Sequence, residues 1–115
     1  MSMIEKTVMD YLNERSSIPW FMERPANAPA EFGLIQKTGS SRSNFIYRAT
    51  IAIQTHAATL YRAAELNEET KRLMDNIIVL NEITASRLNS DYNYSNPAAK
   101  EYRYQAVYDL VHYGG

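Results

Sequence analysis

Residues 44–54 read NFIYRATIAIQ, and this stretch decides the fold. Apolar residues recur at every second position along it, which is typical of a β-strand because successive side chains point to opposite faces of a sheet. We therefore predict a strand here, the clearest in the chain. One of its two faces carries Phe45, Tyr47, Ala49, Ile51 and Ile53.

The segments before this strand predict two shorter strands joined by loops. Residues 18–24 predict a short strand, which Pro19 confines to an edge or to the start of a strand. Residues 24–29 contain two prolines and predict a loop. Residues 32–38 are apolar and predict a strand that pairs with the clearest strand as a hairpin. The polar run 38–43 predicts a flexible connection, too long for a two-residue turn.

A helix is predicted at each side of this three-stranded unit. Residues 2–15 have apolar residues at helical spacing, and Ser2 followed by Glu5 matches a capping box. Residues 57–77 change from an alternating to a helical period, with glutamates on the solvent side.

The last third of the chain predicts two more strands separated by a polar segment. Residues 83–88 predict the first strand, 89–101 a long polar excursion, and 102–113 the final strand. The more apolar face of the final strand carries Tyr102, Tyr104, Ala106, Tyr108 and Leu110. The order α-β-β-β-α-β-β predicts an α+β fold. We expect one domain over residues 1–115, in which two helices pack on one face of a mostly antiparallel sheet.

Composition argues against catalysis. The 115 residues include no cysteine, which excludes disulfides, thiolate zinc sites and thiol catalysis. His56 and His112 are more readily explained as strand-end or surface histidines than as metal ligands. No phosphate-binding glycine motif occurs. We therefore expect no enzyme activity, no catalytic residue, no metal and no cofactor, and the absence of a long apolar run predicts no membrane partner.

The predicted order of elements leaves one alternative function open, because it is also the order of the double-stranded RNA-binding domain. Modules of that family begin their second helix with a lysine cluster that contacts phosphates. Residues 55–62 read THAATLYR here, with a single arginine, and glutamates follow. The net charge of −1 also argues against a protein held mainly by phosphates. These charges argue against nucleic-acid binding, which we keep as the alternative function.

Tyrosine is unusually concentrated near the end of the chain. Six of the nine tyrosines fall within the last 24 residues. Tyrosine suits surfaces that become buried on assembly, because it joins an apolar ring to a polar tip. It is also an ordinary strand residue, and the sequence leaves both explanations open.

Four segments together carry a resemblance to a known family. They are residues 20–25 (WFMERP), 32–39 (FGLIQKTG), 49–57 (ATIAIQTHA) and 103–107 (RYQAV). In layout and length the chain resembles the tail terminator, or tail-completion, proteins of long-tailed bacteriophages and prophages. The resemblance implies a structural protein of the virion tail, assembled in the host cytoplasm. Such a protein forms a homo-oligomeric ring, typically a hexamer, that caps the head-proximal end of the tail tube and stops its polymerisation.

The resemblance also implies partners. They are further copies of the chain, the major tail tube protein and the head–tail connector proteins, with DNA free to pass through the ring and no specific nucleic-acid binding. We expect the loops 24–29 and 38–44 to be mobile in the free subunit and ordered in the ring. The residues expected at contacts between subunits or with partners are Arg24, Pro25, Gly39, Arg42, Tyr92, Tyr94 and Arg103.

Overall fold

The computed structural model describes residues 3–113. The elements follow the predicted order α-β-β-β-α-β-β, which confirms an α+β domain with two helices and a mostly antiparallel sheet. Short 3-10 turns at Ile77–Val79 and Pro97–Ala99 precede β4 and β5. The elements are α1 (Ile4–Arg15), β1 (Trp20–Phe21), β2 (Phe32–Ser43), β3 (Ile46–Ala57), α2 (Leu60–Asp75), β4 (Ile83–Asn93) and β5 (Tyr102–Tyr113).

The five strands form one sheet in the order β1-β2-β3-β5-β4. Only the two-residue β1 runs parallel to its neighbour, and every other pair is antiparallel. The last strand along the chain is therefore inserted between β3 and β4. Its register aligns Ile51 with Tyr108 and Ile53 with Ala106.

The core lies between the helices and one face of the sheet. Tyr108, Ile51 and Ile53 are fully buried there, as the alternation predicts. The Tyr108 hydroxyl donates to the Asp75 carboxylate at 2.9 Å and lies 3.1 Å from the carbonyl of Lys71, which ties the sheet to α2. Burying an aromatic side chain is worth about 1.5–3 kcal/mol, so this face holds much of the stability of the domain. Other core residues are Val8, Leu12, Ala49, Ala63, Leu66, Met74, Ala106 and Leu110.

The two helices begin and end close to the predicted positions. The first ends at Arg15 as predicted, and Met3 is its N-cap without a side-chain capping bond. The predicted capping residue, Ser2, lies outside the described residues. The second helix is shorter than the predicted 57–77, because the hydroxyl of Thr59 caps it by accepting from the Arg62 N–H at 3.1 Å.

The prediction of a long flexible connection at 38–43 is wrong. This polar run continues β2 and pairs with β3 as far as Ser43 and Ile46, so only Asn44 and Phe45 form the turn. The prediction fails because backbone pairing needs no apolar side chain where both faces meet solvent. We call residues 37–48 the arm. Its presence fits an elongated shape of 46 × 24 × 21 Å.

Two other strand predictions need corrected bounds. The strand expected over 18–24 is reduced to Trp20–Phe21. It begins after Pro19, because Pro19 has no N–H to donate and contributes only its carbonyl, which accepts from Gly33 at 2.8 Å. The strand expected to end at Leu88 continues to Asn93. A bulge between Leu88 and Ser90 absorbs the irregular polar sequence.

Candidate assembly surfaces

The structure divides the predicted contact residues into two groups at different parts of the sheet. Arg24, Tyr94 and Arg103 meet beside Glu101, with Tyr92 next to Tyr94, and Pro25 follows Arg24 in the loop. The other two, Gly39 and Arg42, lie in the arm.

We call the first group, with Phe32 and Glu101, the arginine–aromatic cluster. The Arg103 guanidinium lies 4.8 Å from the centre of the Tyr94 ring and donates to the Tyr94 carbonyl at 2.7 Å. Arg24 lies 5.4 Å from the centre of the Phe32 ring. The Glu101 carboxylate lies between the two arginines, 3.7 Å from Arg24 and 3.4 Å from Arg103. The cluster thus presents planar cations and aromatic rings at one surface, a combination suited to protein contacts.

His56 lies beneath this cluster. Its ring stacks on Phe32 with the ring centres 4.5 Å apart, and Nε2 lies 3.2 Å from the Gln54 side-chain oxygen. Burial, followed by the charges of Arg103 and Arg24, lowers the pKa of His56 to about 4. The imidazole is therefore neutral near pH 7, and Nε2–H is placed to donate to Gln54.

The arm carries the second group of predicted contact residues. Gly39 follows a β-bulge at Thr38, and an added Cβ there would meet nothing within 4 Å. Arg42 lies 5.8 Å from the centre of the Tyr47 ring and is exposed. Phe45 at the turn is 87% exposed. The sequence prediction missed this turn, because Asn-Phe lacks the glycine that usually signals a two-residue hairpin.

Both edges of the sheet are open in the part of the chain that is described. On one side, β4 (Ile83–Asn93) pairs with β5 only. On the other side, β1 covers Gly33 and Leu34, so residues 35–43 of β2 have no strand on their outer side. Open edges present rows of backbone donors and acceptors that can pair with another chain.

Charge is unevenly distributed over the two faces of the sheet. The face away from the helices presents Arg48, Arg87 and Arg103 against Asp109, as the strand registers place them. Thr50 and Asn89 donate to the two oxygens of Asp109, at 3.0 and 3.1 Å. The two helices carry seven carboxylates and five cations. The near-zero net charge of the chain thus conceals a basic sheet face and an acidic helix layer.

Within residues 3–113, no three side chains of His, Asp or Glu are grouped closely enough to hold a metal ion. No helix in the described range is long and apolar enough to cross a membrane. No protein-family model matches the chain, and no curated protein matches its sequence significantly.

Proposed function

We propose that this chain is a structural assembly protein, a tail terminator of a long-tailed bacteriophage or prophage. In this proposal it closes into a ring on the head-proximal end of the tail tube, with six copies by analogy with the family it resembles. The ring stops polymerisation of the tube and provides the surface that joins the head. Its partners are its own copies, the major tail tube protein and the connector proteins.

The observation that carries this proposal is the pair of open edges on opposite sides of one sheet. A contact between β4 of one copy and the arm of the next uses two different surfaces. A head-to-tail row of copies has an unpaired β4 at one end and an unpaired arm at the other. When the rotation from each copy to the next brings these two ends together, the row closes into a ring. A terminator needs this closure, because an open head-to-tail chain of copies would continue to grow as a filament.

The arginine–aromatic cluster supports a second contact, to a different partner. Tyr92 and Tyr94 are 42% and 44% exposed and meet edge to face, with their ring centres 6.0 Å apart. Tyrosine and arginine contribute much of the binding energy at protein interfaces. In the proposed ring, the arginine–aromatic cluster contacts the tail tube protein or a connector protein.

The test is polymerisation of a major tail tube protein from the same genome, measured with and without this chain. We expect tubes to stop growing when the chain is added in excess, with a ring visible at one end by negative-stain electron microscopy. Serum albumin at the same mass concentration is the control. Tubes that grow equally long with and without the chain would reject the proposal.

A shortened-arm variant provides a matched control for the sheet-edge argument. Replacing residues 41–48 by Asn-Gly leaves Ser40 and Ala49, which are paired across the hairpin, flanking a standard two-residue turn. We expect this variant to fold but not to cap tubes. If it caps tubes as well as the parent chain does, the arm edge is not part of the ring.

Gene order offers a simpler check. A tail terminator gene is expected between head–tail connector genes and a major tail protein gene. A position among RNA-processing genes would instead favour the nucleic-acid-binding alternative.

One observation favours that second candidate, the excess of arginine on the helix-free face of the sheet. Arg48 and Arg87 line a trough of about 630 Å³ there. At the start of α2, by contrast, Arg62 already contacts Glu31 at 2.7 Å, so its charge is compensated where the RNA-binding family has lysines. The second candidate predicts salt-sensitive binding to duplex RNA that Arg48→Gln combined with Arg87→Gln weakens. Absence of binding at low salt would reject it.

A further inference from the structure

The arginine–aromatic cluster borders a small pocket at the end of the sheet opposite the turn of the arm. The pocket lies where β2 and β5 begin and β3 ends, and its volume is about 130 Å³. Arg24 and Lys100 line it as cations and Glu101 as a carboxylate, while residues 28–30 (Ala-Pro-Ala) and Phe32 form an apolar wall. We call it the Lys100 pocket. These residues lie outside β4 and the arm, so the contact proposed between copies leaves the pocket free.

Arg24 is held in place but keeps its hydrogen-bond donors. Its guanidinium lies over the ring of Phe32, which is buried and stacks in turn on the buried His56. Within residues 3–113, the carboxylate closest to Arg24 is that of Glu101, at 3.7 Å, which is beyond hydrogen-bond distance. The planar guanidinium is therefore fixed by an aromatic stack, while its N–H groups remain available to a planar carboxylate.

Lys100 has a backbone conformation that does not favour a lysine. It follows the 3-10 turn Pro97–Ala99 with a φ of 55° and a ψ of 36°, in the left-handed region that suits glycine. Its side chain is exposed, so burial does not favour a lysine either. Neither the turn nor the core accounts for this residue, whereas its charge is placed beside the pocket.

The charges around the pocket do not balance. Arg103 lies 3.4 Å from Glu101, on the side away from Arg24. Three cations, Arg24, Lys100 and Arg103, thus surround one carboxylate and leave an excess of two positive charges. The pocket therefore favours an anionic group, because complementary charge steers and orients a partner.

The size and lining of the pocket favour one kind of anion. A cavity of about 150 Å³ holds benzene, with its six heavy atoms, so a pocket of about 130 Å³ admits the four or five heavy atoms of an aspartate or glutamate side chain. The apolar wall packs against methylene groups, which these side chains have and a phosphate lacks. The exposed rings of Tyr92 and Tyr94 lie beside Arg103 and can cover the ion pair, which strengthens it by excluding water.

We infer that the Lys100 pocket receives one aspartate or glutamate side chain of a partner protein. The carboxylate of that side chain accepts two parallel hydrogen bonds from Arg24 and lies near the Lys100 ammonium group. The inference rests on the proposed function in one respect, that the arginine–aromatic cluster contacts a partner protein. It adds the chemistry by which the partner is recognised.

NMR titration of the isotope-labelled chain with a blocked glutamate, N-acetyl-glutamic acid α-amide, tests the pocket directly. The matched control is N-acetyl-glutamine amide, which has almost the same shape and no charge. At constant ionic strength we expect the blocked glutamate to shift the Lys100 and Glu101 amide signals saturably. The expected Kd is on the order of 1–10 mM, because the probe makes only two charge-assisted hydrogen bonds. Equal shifts with the glutamine compound, or shifts that do not saturate, would overturn the inference.

Inorganic phosphate distinguishes a side-chain pocket from a general anion site. Phosphate carries the charge but has no methylene group to pack against the apolar wall. We expect it to bind at least about fourfold more weakly than the blocked glutamate, which is the contribution of one buried methylene group. Phosphate that binds as tightly as the blocked glutamate would show that the site recognises charge alone, against the inference.

Two variants and one control locate the binding. Arg24→Gln removes the paired donors, and we expect the Kd of the blocked glutamate to rise at least about tenfold. Lys100→Gly removes a charge, and we expect a rise of about threefold. Arg15→Gln is the control, because Arg15 is also an exposed arginine over an aromatic ring, 4.4 Å from the centre of the Tyr11 ring, and we expect it to bind like the parent chain. A parent-like Kd for Arg24→Gln or Lys100→Gly would overturn the inference.

Thermal melting separates the role of Lys100 in binding from a role in folding. Glycine is the residue that the left-handed backbone at position 100 favours, so we expect Lys100→Gly to melt no lower than the parent chain. One substitution would then weaken binding and leave the subunit equally or more stable. A lower melting temperature would show that Lys100 serves the fold, against the inference.

The tube assay separates this inference from the proposed function. A chain that binds the blocked glutamate but leaves tube length unchanged would reject the tail terminator and keep the acidic-side-chain pocket. A chain that caps tubes but does not bind the blocked glutamate would reject the pocket and keep the terminator.

Discussion

The two halves of the β2–β3 hairpin share one hydrogen-bonded ladder but place their side chains in opposite environments. The rest of the hairpin, residues 32–36 and 49–57, we call the base; there Ile35, Ile51 and Ile53 are buried beneath the helices. In the arm, every β2 residue from position 37 to 43 is exposed. The base is stabilised by apolar burial and the arm mainly by backbone pairing. Since the arm contributes little to the core, its sequence is free to serve contacts outside the subunit.

The largest expected effect lies in the base, at Tyr108. Tyr108→Ala removes a fully buried ring and leaves the Asp75 carboxylate without its donor. We expect a loss of about 3–5 kcal/mol in the free energy of unfolding, measured by urea denaturation.

Arg103→Ala is the control for this prediction, because Arg103 lies on the opposite face of the same strand. We expect that variant to remain folded. If Tyr108→Ala unfolds like the parent chain while Arg103→Ala collapses, the assignment of the two faces is inverted.

A pH effect of intermediate size is expected at His56. Its folded pKa of about 4 lies below the ordinary value of 6.5, so the unfolded chain binds the proton more tightly. The resulting stability is present above pH 6.5 and is lost as the pH falls toward 4, by on the order of 3 kcal/mol. We expect His56→Gln to show a shallower fall over this range in urea denaturation. Parallel curves for the two proteins would contradict the burial of a neutral His56.

The smallest expected effects concern two glycines of β2, Gly33 in the base and Gly39 in the arm. A Cβ at Gly33 would collide with the Trp20 ring, whereas one at Gly39 meets open space. We therefore expect Gly33→Ala to destabilise the domain by about 1–3 kcal/mol. Gly39→Ala should leave stability unchanged or raise it by about 0.5 kcal/mol. Equal effects in thermal melts would mean that base and arm do not differ as described.

The same contrast explains how far the sequence could predict the fold. The final strand matches its predicted bounds, Tyr102–Tyr113, because an apolar face alternates along it. The β2 half of the arm, residues 38–43, was predicted as a loop, because its side chains meet solvent on both faces and so show no alternation. Hydrophobic pattern reports burial, and a strand without burial leaves no such signal.

The candidate surfaces show a similar limit. Arg24, Tyr94 and Arg103 were predicted as contact residues, and the structure brings them together. Their common position depends on the register of β4 against β5 and on the return of the chain at Asn96 and Glu101, which no local pattern encodes. Phe45 was predicted as a strand residue but lies in the turn, because the sequence Asn-Phe lacks the glycine that signals a two-residue hairpin.

Hydrogen exchange at low and high protein concentration tests the central claim most directly, that the base serves the subunit and the arm serves assembly. We expect amides of the base near Ile51 and Ile53 to exchange slowly at both concentrations, because they are buried in the monomer. The amides of residues 37–43 that face away from β3 have no strand partner in the monomer. They should exchange rapidly there and at least about tenfold more slowly in the oligomer. The same exchange rate for these amides in monomer and oligomer would contradict the account.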